Sequence, residues 1–193
     1  MKKIPQSVVI IITALFLCAF SYANQNTLAI GDIILRSGTT MDSLAIQKIG
    51  KVKYSHIGII TQIEPEIIVV HSTTDDDPNH PNQVITTSFD IFTSPKFAHA
   101  FLIIRPNFLN DDEKIILANT IQSKIGEPYV LKSREENNLY CTTLIEQPLL
   151  KLRPNIQLEW HTIDIGPFQG SYLFPDTFMN IKGMEILADF LRQ

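Results

Sequence analysis

The chain has 193 residues, of which 45% are hydrophobic and 19% are charged, and its formal net charge is −4. This length and composition suit one globular domain with a sizeable core, and nothing in them requires a second domain. A mildly acidic chain without basic clusters argues against nucleic acid or an anionic membrane as the main partner.

Residues 1–23 have the pattern of a secretory signal peptide. Two lysines precede an apolar run at 8–20, and small residues follow at Ser21 and Ala23. The run is shorter than the roughly 20 residues that span a bilayer, so we expect cleavage and no stable membrane insertion afterwards. The mature protein would then be a single domain at 24–193, exported to the periplasm or secreted. Loss of the two lysines takes its net charge from −4 to about −6.

The first half of the mature chain predicts strands. Residues 31–36 predict a turn followed by a short strand. The β-branched, alternating segments 53–61 and 67–71 predict two strands joined by a short turn as a hairpin. In that hairpin His56 would lie directly opposite His71, with Cβ atoms about 5 Å apart. The two imidazoles would therefore touch.

Helices are expected at two places before the central cysteine. Asp42 is expected to cap a modest helix that ends at Gly50. Asn110, with Glu113 at the capping-box position, predicts the start of a clear helix that runs to Lys124.

The remaining segments predict loops, one more strand and a wrapped tail. Residues 73–87 are rich in Asp, Asn and Pro and predict a loop, in which the acidic run 75–77 is solvated rather than a calcium site. Residues 98–105 predict a strand. The aromatic, proline-rich tail predicts an irregular wrap over the sheet, ending in a short helix at 184–191. The expected fold class is α+β, with a central antiparallel β-sheet packed against helices.

Cys141 is the candidate nucleophile. It is the one cysteine left after removal of the signal peptide, and an apolar segment typical of a buried helix follows it. A thiol at a helix N-terminus meets unpaired backbone N–H groups and the positive end of the dipole, which favour a thiolate. A buried, inert cysteine is the alternative that the cysteine count leaves open.

Six short motifs follow one another in an order that resembles the permuted papain-like amidase family, a circularly permuted branch of the NlpC-type cysteine hydrolases. The likeness extends over nearly all of the mature chain. The motifs are, in order, Gly31-Asp32-Ile33-Ile34, Tyr54-Ser55-His56-Ile57-Gly58, Val70-His71-Ser72, Gly126-Glu127-Pro128-Tyr129, Tyr140-Cys141-Thr142-Thr143-Leu144 and Tyr172-Leu173-Phe174-Pro175-Asp176.

The resemblance implies a permuted papain-like fold and a catalytic triad. Carried over position by position, it makes Cys141 the nucleophile, His56 its general base and His71 the residue that orients the base. The chain departs from the family at Val130, where an acid often follows the tyrosine. It departs again after the cysteine, where Thr142 and Thr143 replace Ser-Glu. Both departures bear on substrate preference or positioning.

This constellation predicts thioester chemistry. A protonated imidazole beside Cys141 would store a thiolate–imidazolium pair, so iodoacetamide would label the thiol quickly near pH 6. The backbone N–H of Cys141, helped by the hydroxyl of Tyr54 or Tyr140, would bind the oxyanion. We expect neither cofactor nor metal, although zinc on His56, His71 and Cys141 is chemically allowed.

The sequence therefore predicts an exported cysteine hydrolase of the amidase or peptidase type. Its substrate would be a peptide, an isopeptide such as a cell-wall linkage, or an acylated molecule. An acyl transferase or esterase acting on lipids is one alternative. A catalytically silent module that binds a peptide or glycan in the same cleft is another. The oligomeric state stays open.

Overall fold

The computed structural model describes residues 28–166 and 168–191. The predicted signal peptide, residues 1–23, lies outside the described residues. Within the described part of the chain, no helix is both long and apolar enough to cross a membrane.

A six-stranded antiparallel sheet forms the centre of the molecule, as the fold class expected. Its strands stand in the order β4-β3-β2-β1-β5-β8, and β6 pairs separately with β7. The strands are β1 (Ile33–Gly38), β2 (His56–Gln62), β3 (Ile68–Thr73), β4 (Gln83–Ser88), β5 (Ala98–Pro106), β6 (Trp160–Ile165), β7 (Phe168–Leu173) and β8 (Met184–Leu191).

Four α-helices and one 3₁₀ helix complete the described chain. They are α1 (Met41–Gly50), α2 (Phe89–Phe92), α3 (Asp111–Gln122), α4 (Cys141–Leu152) and the 3₁₀ helix Pro175–Asn180. The α3 helix begins with the predicted capping box between Asn110 and Glu113. The side chain that caps α1 is Thr40, one residue before the helix, so the predicted cap at Asp42 is wrong. Asp42 lies in the first turn instead, where its charge suits the helix dipole.

The two faces of the sheet carry separate cores. Alternate residues of β1 and β2, such as Ile33 and Ile57, pack with α3 and α4 in the main core. The intervening residues, such as Ile34 and Ile60, pack with Phe92 of α2 in a second core on the other face. This alternation follows from the two-residue period of a strand.

The β2–β3 hairpin has a different register from the predicted one. Ile59 pairs with Val70 and Ile60 with Val69, two residues further along β3 than expected, and the register shifts again at Gln62. The predicted pairing of His56 directly opposite His71 is therefore wrong. A shift of two residues keeps each side chain on its original face, so both imidazoles still share one face of the sheet.

Two further expectations about secondary structure are wrong. The segment predicted as a loop at 73–87 contains most of β4, which pairs along β3 from Ile68↔Ser88 to Thr73↔Gln83. The tail forms the β6–β7 hairpin, a 3₁₀ helix and the edge strand β8 instead of an irregular wrap and a helix at 184–191. Residues 184–191 have the apolar spacing of a helix, but their backbone hydrogen-bonds along the edge of β5. This pairing outweighs the local preference for a helix.

Candidate active site

Cys141 is the first residue of α4, as predicted, and it lies beside the start of β2. Tyr140 occupies the N-cap position in an extended conformation. Cys141 is 8% exposed and lines a cavity of about 340 Å³ that His56 also lines. Ile57, the residue after His56, lies close enough for its backbone to act on the pKa of the Cys141 thiol. The thiol is thus largely buried but borders a cavity large enough for a ligand.

His56 and His71 form a direct hydrogen bond. Nε2 of His56 lies 2.8 Å from Nδ1 of His71, and Nε2 of His71 lies 2.9 Å from Oγ1 of Thr87. The ring of Phe92 packs against both imidazoles, with centroid distances of 5.7 Å to His56 and 4.9 Å to His71. The structure therefore brings together the two histidines that the sequence singled out as candidate base and orienting residue.

An ion pair between Arg36 and Asp76 lies next to this histidine pair, and sequence reasoning missed it. Both side chains are almost fully buried, and Arg36 also donates to the carbonyl of Phe92 over 3.2 Å. Oδ2 of Asp76 lies 3.8 Å from Nδ1 of His71. Because Asp76 is buried and paired, the expectation of a solvated acidic run is wrong at this residue. Arg36 follows three apolar residues in the predicted strand at 31–36, and this could have predicted the ion pair, because a buried charge needs a partner of opposite charge.

Burial keeps the thiol and the two imidazoles neutral. Desolvation raises the pKa of Cys141 to about 12, although backbone hydrogen bonds and the charge of Arg36 act in the other direction. Desolvation and Arg36 hold the pKa of His56 well below its ordinary 6.5, and desolvation lowers the pKa of His71 to about 3. These pKa directions disfavour the predicted stored thiolate–imidazolium pair in the resting protein. The loss of hydration on burial destabilises the thiolate and the imidazolium by more than the neighbouring charges and hydrogen bonds stabilise them.

Of the two tyrosines proposed for the oxyanion, Tyr54 donates its hydroxyl elsewhere, whereas Tyr140 accepts a hydrogen bond and keeps its own O–H. Tyr54 is buried and its hydroxyl donates to Oδ1 of Asp189 on β8 over 3.2 Å. The hydroxyl of Tyr140 accepts a hydrogen bond from the backbone N–H of Leu173 over 2.9 Å. Tyr54 is therefore a structural residue, and Tyr140 ties the start of α4 to the end of β7.

The cavity is lined by both polar and apolar residues. The polar ones that share it with Cys141 include Arg36, Ser55, His56, Ser72 and Asp76, and also Asp42 and Ser43 of α1. The apolar ones come from α1, the β6–β7 hairpin and the segment after it, and include Ala45, Ile46, Ile49, Ile163, Phe168, Tyr172, Phe174 and Pro175.

Three side chains of the site could hold a metal ion. One ligand atom each from His56, His71 and Asp76 lie within 4.8 Å of one another, a set that differs from the expected one by having Asp76 in place of Cys141. The donors suit zinc, but two of them are hydrogen-bonded to each other and Asp76 is paired with Arg36. A metal would have to replace those contacts and to lie close to a guanidinium.

Comparison with known protein families and with curated proteins finds no match. Among solved structures, the chain is similar to the crystal structure of the metalloprotein yiiX from Escherichia coli O157:H7, described as DUF1105. The TM-score is 0.68 at 17% sequence identity, over 84% of this chain and 97% of that one. The likeness covers the sheet-and-helix architecture, and at this identity it shows the fold alone.

Proposed function

We propose that this protein is an exported cysteine hydrolase with a permuted papain-like fold, in which Cys141, His56 and His71 form the catalytic triad. The observation that carries the proposal is the shared cavity: it is lined by Cys141 at the start of α4 and by His56, whose Nε2 is hydrogen-bonded to a second histidine. Nucleophile, base and orienting residue are the three parts that this chemistry needs.

The neutral resting state points to general-base catalysis at the moment of attack. His56 would take the Sγ proton of Cys141 on Nδ1 while the sulfur forms a bond to the substrate carbonyl carbon. The carbonyl electron pair moves to oxygen, and the backbone N–H of Cys141 donates to that oxygen. On collapse the C–N or C–O bond breaks, the leaving group takes the proton from His56, and a thioester remains. Water activated by His56 then hydrolyses the thioester and restores the thiol.

His71 holds His56 in the tautomer that this sequence of steps requires. In its neutral form His71 accepts the Nε2 proton of His56 on Nδ1 and donates its own Nε2 proton to Thr87, which fits the two distances of 2.8 and 2.9 Å. That arrangement leaves the Nδ1 lone pair of His56 free to accept the thiol proton.

The cavity favours a substrate with an apolar acyl group. Apolar residues of α1, the β6–β7 hairpin and the segment after it line the cavity together with polar residues that include His56. Such a mixed lining suits an amide or ester whose acyl portion is hydrophobic and whose scissile carbonyl is polar. It supports the acylated class of substrate among those that the sequence left open, with peptides carrying apolar side chains as the related alternative.

The direct test is to trap the thioester. The purified protein without residues 1–23 is mixed with p-nitrophenyl butyrate, quenched in acid and analysed by intact mass and peptide mapping. We expect one butyryl group on Cys141, none in Cys141→Ala, and a strongly reduced amount in His56→Ala. A folded wild-type protein that never acylates at Cys141 would favour the catalytically silent binding module instead.

A second candidate function is divalent-metal binding at His56, His71 and Asp76. It is supported by the closeness of their donor atoms and by the description of the similar structure as a metalloprotein. If bound there, a zinc ion would supply Lewis acidity. Metal analysis of the purified protein decides this, with Asp76→Asn and Asp75→Asn as a matched pair. Stoichiometric metal that only the Asp76 variant loses would support this second function.

A further inference from the structure

The two residues that flank Cys141 bind the backbone of one residue of the β6–β7 hairpin. Oγ1 of Thr142 donates to the carbonyl oxygen of Leu173 over 3.0 Å, and the phenol oxygen of Tyr140 accepts from the N–H of Leu173 over 2.9 Å. We propose that these two hydroxyls form a clamp that positions the hairpin against the nucleophile and so determines which acyl chains react. Tyr140 and Thr142 are then positioning residues. The inference rests on the proposed function, because it concerns the substrate preference of the same cavity.

The hairpin needs such a clamp because it is separate from the main sheet. Strands β6 and β7 pair with each other and form a two-stranded sheet of their own. Ile163 and Tyr172 of the hairpin pack with Phe174 and with side chains of α1 in a small apolar cluster. A two-stranded hairpin is only marginally stable by itself. Its position relative to the sulfur therefore depends on the contacts that hold it to the rest of the molecule.

Leu173 joins the hairpin to the core that contains the nucleophile. It is the last residue of β7, it lines the cavity, and it packs in the main core together with Cys141. Its chain neighbours Tyr172 and Phe174 also line the cavity. Hydrogen bonds to both backbone groups of Leu173 therefore limit how far these two aromatic side chains can move from the sulfur.

Both residues of the clamp are shielded from water. Thr142 is fully buried and Tyr140 is 3% exposed. Burial raises the pKa of Tyr140, whereas the Leu173 backbone and the Thr142 side chain act on it in the opposite direction, so the three groups form one cluster. Loss of either hydroxyl would leave a buried backbone group of Leu173 without its partner, which is unfavourable. The end of the hairpin would then move until water reached that group.

The clamp acts on the rate through the length of the acyl chain. Apolar contacts of the chain raise the rate only if they persist while the carbonyl carbon lies within bonding distance of Sγ. We expect an octanoyl chain to reach the aromatic side chains of the hairpin and an acetyl group to end near the sulfur. A displaced hairpin would therefore remove contacts from the long ester and leave the surroundings of the short ester as they are.

The experiment compares acylation of Cys141 by the p-nitrophenyl esters of octanoate and acetate. In Thr142→Val, which keeps the shape of the side chain but loses the hydroxyl, we expect the octanoate-to-acetate ratio of rates to fall about tenfold. Thr142→Ser keeps the hydroxyl and should retain most of the ratio. Thr143→Val is the matched control, because the Thr143 hydroxyl caps α4 through the backbone of Tyr140. It should keep the wild-type ratio.

Tyr140→Phe tests the other half of the clamp and should lower the same ratio. Equal slowing with both esters in Thr142→Val and Tyr140→Phe would mean that the hydroxyls serve the reacting oxygen, and an unchanged ratio would mean that they do not position the hairpin. Either result overturns the clamp while the hydrolase proposal stands. A wild-type protein that iodoacetamide alkylates at Cys141 but that neither ester acylates would remove the proposed function, and the role of the clamp with it. Thermal unfolding of each variant controls for loss of the fold.

Discussion

His56 and His71 are hydrogen-bonded at 2.8 Å although they are not opposite each other in the β2–β3 hairpin. The position across from His71 belongs to Gly58, where an added Cβ would lie 3.3 Å from the Cβ of His71 and 2.5 Å from a methyl group of Val69. Because Gly58 has no side chain, the imidazole of His71 can lean along the strand and reach His56. The diagonal pair therefore depends on a glycine between the two histidines.

The pair predicts a graded response to substitution of His71. His71→Ala removes the acceptor that holds the tautomer of His56, so we expect the rate of acylation at Cys141 to fall by about 100-fold or more. His71→Asn keeps an acceptor near the same place and should retain more of the rate. The measurement is stopped-flow release of p-nitrophenolate, with alkylation by iodoacetamide as the comparison. An alanine variant as fast as the wild type would show that His71 does not orient the base.

The raised pKa of Cys141, to about 12, predicts a pH dependence opposite to that of a stored ion pair. An acid whose pKa is raised has less of its charged form at every pH below that pKa, and the thiolate fraction grows tenfold per pH unit. Alkylation of the resting protein should therefore be slow near pH 6 and keep rising up to pH 10. His56→Ala should follow the same profile. A rate that is already constant at pH 6, and that His56→Ala abolishes, would restore the thiolate–imidazolium pair.

The Arg36–Asp76 ion pair predicts a large loss of stability when one partner is removed. Asp76→Asn leaves the buried guanidinium without its counter-charge, which typically costs about 3–5 kcal/mol of unfolding free energy. Asp75→Asn, next to it but exposed, should change stability by less than about 0.5 kcal/mol. Urea denaturation of both variants measures the difference. Equal and small effects would mean that Arg36 finds water or another acceptor once Asp76 is neutral.

The apolar residues that line the cavity predict a preference for longer acyl chains. Each methylene that moves from water into an apolar site contributes about 0.8 kcal/mol, or roughly a fourfold gain in rate where the contact is made in the transition state. We expect the acylation rate at Cys141 to rise from the p-nitrophenyl ester of acetate to those of butyrate and octanoate. A succinate half-ester of similar length, which carries a charge, should react slowly. Equal rates along the series would place the acyl group outside this cavity.

Local signals in the sequence were enough for several elements. The capping box of Asn110 and Glu113 starts α3 as predicted, and Cys141 begins α4. These features depend on residues within one turn of each other, which are adjacent in the chain. The helix predicted at 184–191 was wrong because its conformation depends on a strand that is distant in the chain. Its apolar spacing suits a helix, but pairing with β5 places it in a strand that takes up one extra residue where the register shifts.

The sequence by itself determined which reactive groups the chain carries, their order, and the helix start and strand face on which each one lies. Only the tertiary structure decided how those groups meet: the diagonal contact of the two histidines, the ion pair of Arg36 with Asp76, and the neutral state of Cys141. The reason is physical. The two-residue period of a strand fixes the face on which a side chain lies. The distances between the side chains and their charge states depend on hydrogen-bond partners and on the exclusion of water, which come from segments far apart in the chain.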